Sequence, residues 1–246
     1  GPVYGSAEVN AGRILREDFR AYRDELVIAS KAGYDMWDGP YGNWGSRKYL
    51  VASCDQSLRR LGLDYVDIFY HHRMDPETPL EETMQALIDI VRQGKALYVG
   101  ISKYPPEQQA LAYSILKEAK VPCLLSQYRC SMFDLKAKRN NFQLAADNGS
   151  GIICFSPLAQ GLLTGKYDNG IPEGSRAARS TGFLQTSQVT PERIEAARQL
   201  GAIAKQRGQS LAQMALAWVL NDERVTSVII GTSSVAQLEN NLNTLD

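Results

Sequence analysis

The chain has little that would tie it to metal, nucleic acid or lipid. Its four cysteines, Cys54, Cys123, Cys130 and Cys154, make no C-x-x-C pair and stand far along the chain from the two histidines. That spacing matches no zinc site and suits reduced thiols in a cytoplasmic protein, so no metal is expected. The 27 basic residues are cancelled by 27 acidic ones, with no polybasic run and no acidic tail. Nothing electrostatic therefore selects DNA, RNA or an anionic membrane, and the expected partner is a small molecule. No apolar run approaches the ~20 residues needed to cross a bilayer, and no charged stretch followed by an apolar one stands at the start. G-x-G-x-x-G is also missing, which removes the usual mark of a doubly wound dinucleotide binder. GLLTGKY is no substitute. Gly161 and Gly165 are one residue too close for a phosphate loop, and Tyr167 stands where Ser or Thr would hold magnesium.

What is present is one pattern, repeated. ELVIASKAG is a short apolar run, followed by SRKYLVASCDQSLRRLGL, where Leu50, Cys54, Leu58 and Leu61 share one helical face. YVDIFYHH precedes PLEETMQALIDIVRQGK, whose stripe is Leu80, Met84, Leu87, Ile88 and Val91, with Gly94 as its stop. ALYVGIS with PPEQQALAYSILKEAK, and CLLSQY with LKAKRNNFQLAADNG, repeat the alternation. GIICFSPLA leads through a long polar insertion to TPERIEAARQLGAIAKQRG and SLAQMALAWVLNDE. VTSVIIGTSS with VAQLENNLNTL closes the series at six units. The strands are continuously apolar, as parallel strands covered on both faces should be.

Such alternation predicts a parallel sheet, either an open doubly wound layer or a closed barrel. The strand ends choose between them: Lys31, His72, Ser102, Gln127, Ser156 and Ser233 are polar residues at successive carboxyl ends. A (β/α)8 TIM barrel gathers those ends on one rim, where sites of that fold are built. A barrel needs eight strands, so a single barrel domain over residues 1–246 is expected to lack its first two strands and its C-terminal segment.

The same rim carries a resemblance. ASKAGY, DYVDIFYHHR, GKALYVGIS, FSPLAQGLLTGKY and IIGTSSVAQLENNL resemble, in order and across essentially the whole chain, the aldo-keto reductase family. GSRKYL, LAQGLLTGKY and QRGQSLAQMALAWVL are most similar to the branch containing L-glyceraldehyde 3-phosphate and methylglyoxal reductases, and beside it the potassium-channel β subunits. The resemblance implies hydride transfer from NADPH to an aldehyde or ketone. Charge that develops on the carbonyl oxygen must then be met by a proton donor and fixed dipoles. A tyrosine gives the proton, a lysine ammonium lowers its pKa from ~10, and an aspartate holds the lysine.

By that resemblance Lys31 is the lysine and His72 the histidine that orients or polarises the carbonyl. A strand-end lysine is ordinarily a solvated surface residue and a lone histidine a satisfied polar one. Their joint occurrence inside the family's motifs favours function. His71 is one step out of register and is expected on the opposite side of the sheet. Ser102 and Gln127 resemble the side chains that bond the nicotinamide carboxamide, and Phe155 the aromatic that stacks on the ring. Lys103 stands where many relatives have asparagine. Ser156, Leu158, Gly161 and Lys166 resemble the pyrophosphate belt, whose plain alternative is a strand-to-helix loop. Gly231, Ser233, Gln237 and Asn241 match an adenosine-phosphate clamp at a helix start. Asn240 departs from the glutamate usual there, and Ser234 stands where some relatives place an arginine. Arg176 resembles another arginine used for the 2'-phosphate, which favours NADPH over NADH.

YDMWDGPYGNWG is a long aromatic loop in which Trp37 and Trp44 either wall the substrate pocket or pack over the rim. GPVYGSAE fits a branch segment that directly follows the catalytic tyrosine. The general acid is therefore expected just before Gly1, and Tyr4 occupies a variable position. Two functions remain open: an NADPH-dependent reductase of short aldehydes, or an NADP-binding regulatory subunit with little turnover. The first takes a small carbonyl compound as substrate, and a homo-oligomer is compatible with either.

Overall fold

The computed structural model describes residues 3–175, 177–178 and 184–245. In chain order the regular elements are α1 (Ser6–Glu17), β1 (Ala29–Ala32), α2 (Arg47–Leu61), β2 (Val66–His71), α3 (Leu80–Arg92), β3 (Ala96–Ser102) and α4 (Pro106–Glu118). They continue with β4 (Cys123–Arg129), α5 (Lys136–Asn140), α6 (Phe142–Asp147), β5 (Gly151–Phe155), α7 (Pro191–Gln206), α8 (Leu211–Leu220), β6 (Val225–Ile229) and α9 (Val235–Leu242). The six strands follow one another in the sheet as they do in the sequence, and hydrogen bonds do not close it into a ring among the described residues. The chain divides into two compact units, Gly1–Gln127 with Gln143–Gly151, and Tyr128–Phe142 with Ile152–Asp246.

In the first unit, β1 to β4 pair in parallel. The register sets Lys31 beside Tyr70, Ala32 beside His71, His71 beside Ile101, and Ser102 beside Gln127. Carboxyl ends of the four strands therefore lie level, and the polar residues that end them share one edge. β1 is shorter than the apolar run ELVIASKAG suggests. Residues 20–25 form a helical turn from which Arg23 reaches Asp67 at 3.0 Å and the carbonyls of Leu26 and Tyr65. Asp67 also accepts the Ile28 amide at 2.7 Å, so side chains fix the approach to the strand in place of a ladder.

The α2 stripe is buried as its spacing predicts, and Ser46 caps the helix by accepting the Tyr49 amide at 3.3 Å. α3 differs from its predicted stripe: Met84, Leu87 and Ile88 are buried, joined by Thr83, Ala86 and Ile90, while Leu80 and Val91 are only half-buried. A helix wedged between others buries more than one face, which a single stripe cannot anticipate. Leu97, Tyr98 and Leu124 are each more than a third exposed, so the cover at the start of β3 and β4 is incomplete.

In the second unit β5 pairs in parallel with β6, and the Cys130 amide reaches the Phe155 carbonyl at 3.4 Å. α7 and α8 bury Ala197, Ala204, Leu211 and Met214 against one another. Each begins at a side-chain cap, Thr190 for α7 and Ser210 for α8, the latter with Gln213 in a reciprocal capping box. Asp222 bridges Arg224 at 2.7 Å and Lys138 at 3.1 Å, and these cations hold its carboxyl well below the usual range. All four cysteines are free and buried.

Candidate active site

The level edge of the first unit brings the predicted catalytic pair together. Lys31 leaves β1 with its ammonium 5.4 Å from the Tyr70 ring. That ring is buried, and it has room because residue 100 is glycine: a Cβ there would overlap it. Burial, and then the charge of Lys103, lower the Lys31 pKa. His72 follows β2, with its amide bonded to the Ala32 carbonyl at 2.8 Å and its ring edge-on to Tyr34, centroids 4.7 Å apart. Burial first, then Lys103 and Lys31, push His72 down to about 3. At neutral pH it is an uncharged imidazole with one N–H to donate, set among cations that do not compete to accept it.

His71 faces other neighbours, as the alternation requires. It is fully buried, with Nδ1 2.5 Å from the Tyr104 hydroxyl and Nε2 3.3 Å from the Trp44 carbonyl.

The nicotinamide candidates lie on the next two strands. The Ser102 hydroxyl donates to the Gln127 carbonyl at 2.8 Å, so toward a further ligand Ser102 can only accept. The Gln127 side chain is 4% exposed, and its amide takes no hydrogen-bond partner among the described residues. An amide with its hydrogen-bonding capacity open, on a residue this little exposed, fits a carboxamide. Lys103, at a left-handed φ of 59°, points its ammonium to the Tyr34 hydroxyl at 2.9 Å.

The aromatic loop resolves its two tryptophans differently. Trp37 tilts onto Tyr49 at 5.3 Å and is a packing residue. Trp44 is 38% exposed and lies over the Arg73 guanidinium at 3.5 Å, with Tyr34 on the same guanidinium at 4.2 Å. Arg73 also donates to the Gly33 carbonyl at 2.6 Å and to Asn43 at 2.8 Å, tying both ends of the loop to the residue next to His72. Sequence reasoning assigned no role to Tyr34, Arg73 or Tyr104. The signal that was available is that Arg73 directly follows both histidines of the chain.

The second unit holds the remaining candidates. Phe155 is half-buried, with the Arg129 guanidinium 5.7 Å from its ring. Beyond it the backbone is left-handed at Ser156, Ala159, Gln160 and Gly161. Amides of Ala159, Gly161 and Leu163 turn back on the carbonyls of Ser156 and Leu158, so Ser156, Leu158 and Gly161 belong to a tightly wound turn and Lys166 stands exposed after it. At the start of α9, Ser233 donates its amide and hydroxyl to Gln237 at 3.0 and 3.1 Å, while Ser234 caps the helix. Gly231, Ser233 and Gln237 are exposed, but Asn241 is buried. Arg176 lies outside the described residues.

The opening stretch is structural. Tyr4 is 58% exposed in the turn before α1 and has no hydrogen bond to Lys31 or His72 among the described residues. Glu8 instead takes Arg60 at 2.6 Å and the Ser30 hydroxyl.

The family model described as Aldo/keto reductase family matches residues 1–246. The chain belongs to the aldo/keto reductase family. It is accordingly an oxidoreductase, and its parallel βα units are those of a (β/α)8 barrel. This aldo/keto reductase is 55% identical, over 100% of its own length and 72% of the relative's, to L-glyceraldehyde 3-phosphate reductase of Escherichia coli O157:H7. It is 33% identical to a putative voltage-gated potassium channel subunit beta of Schizosaccharomyces pombe, over 98% of the chain and 72% of that protein. A probable subunit of the same kind from Arabidopsis thaliana is 35% identical over 98% of the chain and 74% of its own length. Among the described residues no helix is long and apolar enough to cross a membrane, and no group of side chains could hold a metal ion.

Proposed function

We propose that this aldo/keto reductase reduces short aldehydes and ketones with NADPH, methylglyoxal and glyceraldehyde 3-phosphate being the first candidates. The observation that carries the reading is the convergence of Lys31 and His72, each perturbed by the same Lys103, on the edge where Ser102 and Gln127 stand in register on the next two strands. The relative named as an L-glyceraldehyde 3-phosphate reductase supports the substrate class.

NADPH supplies the hydride when bound. His72, neutral at pH 7, donates its N–H to the carbonyl oxygen and meets the charge that builds there. The Lys31 ammonium favours the ionised form of a neighbouring tyrosine acid and so eases its proton transfer to that oxygen. Gln127 and Ser102 hold the carboxamide, and Phe155 stacks on the ring. Ser156, Leu158, Gly161 and Lys166 carry the pyrophosphate, and Gly231, Ser233, Gln237 and Asn241 the adenosine phosphate. The role of Arg176 at the 2'-phosphate rests on the sequence resemblance. The four free thiols support a reducing, cytoplasmic setting.

The test is NADPH consumption against an aldehyde panel. His72→Asn and Lys31→Met are expected to lower kcat by about 10²- to 10⁴-fold while the cofactor still binds. Arg176→Ala should weaken NADPH far more than NADH; equal losses refute that assignment. Tight NADPH binding without turnover of any aldehyde would instead favour a regulatory subunit, the reading that the relatives named as channel subunits support.

A further inference from the structure

His71 is fully buried, yet it spends both ring nitrogens on hydrogen bonds. The Trp44 carbonyl can only accept, so Nε2 carries the hydrogen and donates at 3.3 Å. In the neutral ring Nδ1 is then bare and accepts the Tyr104 hydroxyl at 2.5 Å. Burial, which pushes His71 down to about 4, keeps the ring in this neutral form. Both nitrogens are committed, so the ring has none left for proton transfer or a metal.

Its neighbour across the contact is pinned as well. Gly45 donates its amide to Asp75 at 2.9 Å and accepts the Thr83 hydroxyl at 2.9 Å. A Cβ at position 45 would stand 2.8 Å from His71 Nε2, so only glycine admits the ring this close. Between these anchors Trp44 is held at φ 71°, a left-handed conformation that a bulky aromatic residue reaches only under constraint. The constraint decides where the indole goes. It lies on Arg73, Arg73 lies on Tyr34, and Tyr34 meets the ring of His72.

We infer that His71 is a positioning residue which, through its bond to the Trp44 carbonyl, holds the Trp44–Arg73–Tyr34 stack as the wall of the carbonyl-substrate pocket. The function of that wall rests on the activity proposed above; the pin itself does not. A histidine that only filled space would be replaceable by an apolar ring of similar size, and this separates the two roles.

The experiment uses the full chain with Trp37→Phe and Trp218→Phe, so that Trp44 is the sole indole. His71→Phe keeps the ring and loses both bonds; His71→Gln keeps an N–H near the Nε2 position. The expected result for His71→Phe is a red-shifted, more readily quenched Trp44 and a KM for methylglyoxal raised about fivefold or more, with kcat within about twofold and NADPH affinity unchanged. His71→Gln is expected to recover most of both losses. A folded His71→Phe protein with the parent's quenching and KM overturns the inference. Should His71→Phe not fold, His71→Asn, whose shorter amide reaches the Nδ1 position but not the Nε2 position, is read in its place: raised quenching supports the pin, and unchanged quenching overturns it. If the parent turns over no aldehyde, the proposed activity fails, and the quenching arm still decides the pin.

Discussion

Gly100 and Tyr70 sit on neighbouring strands in direct register, and the ring of one occupies the space that a side chain on the other would need. The Lys31 ammonium lies over the same ring at 5.4 Å. Gly100→Ala must therefore displace Tyr70 and, with it, the floor beneath Lys31. The expected cost is about 1–3 kcal/mol of stability, typical of overpacking, together with a fall in kcat. Urea unfolding and turnover, measured on the same protein, check the two effects; an alanine variant with the parent's midpoint would contradict the packing.

Acid should unfold the protein earlier than its carboxylates alone would dictate. An unfolded histidine titrates near ~6.5, whereas His71 is pushed down to about 4 and His72 to about 3. Below pH 6.5 the unfolded chain binds protons that the folded chain refuses. This stability is therefore present above that pH and lost as the pH falls through the folded values. At pH 5 the loss for buried His71 is about 2 kcal/mol, and for the half-exposed His72 it is less. Urea midpoints from pH 7 to 4.5 measure it, and His71→Phe should flatten the slope. By the same shift, kcat/KM should carry no limb from His72 above pH 5.

Arg73 cannot be replaced by lysine. Its planar fork serves the Gly33 carbonyl and Asn43 while the guanidinium lies over the rings of Tyr34 and Trp44. Arg73→Lys and Arg73→Ala are expected to raise the KM for carbonyl substrates by similar factors, about tenfold, with a smaller change in NADPH affinity. Steady-state kinetics with both variants distinguishes this from a pure charge effect, which lysine would rescue.

The two notable residues of GPVYGSAE should behave oppositely to what a catalytic reading of the stretch suggests. Glu8→Ala leaves Arg60 with only Gln56, its Nη2 already lacking a partner among the described residues, and removes the shorter of the two hydrogen bonds of Ser30. A stability loss of about 1–3 kcal/mol is expected, with kcat at the optimum within about twofold. Tyr4→Phe should alter neither quantity. Thermal melts and turnover of the two variants test this, and a Tyr4→Phe protein with lost kcat would reassign the acid.

Much of this was legible in the residue order. The caps at Ser46, Thr190 and Ser210, the apolar stripe of α2 and the bounds of β3 all follow from patterns of two or 3.6 residues and from local hydrogen bonds. Alternation also put His71 and His72 against different neighbours. The broader stripe of α3 and the shortened β1 were not legible, because packing partners and the Arg23–Asp67 pair come from elsewhere in the chain.

The site divides along the same line. By itself the sequence determined the family, the parallel βα units and the identity of the strand-end residues Lys31, His72, Ser102 and Gln127, since each is a matter of residue type at a spacing. Only the tertiary structure decided which neighbour each group has. It set Lys103 rather than a carboxylate beside His72, gave the Ser102 proton to a backbone carbonyl, put Trp37 on Tyr49 and Trp44 on Arg73, and turned His71 inward. Hydrogen bonds and charge act over a few ångströms, and residues as far as 69 positions apart meet at that distance only once the chain has folded.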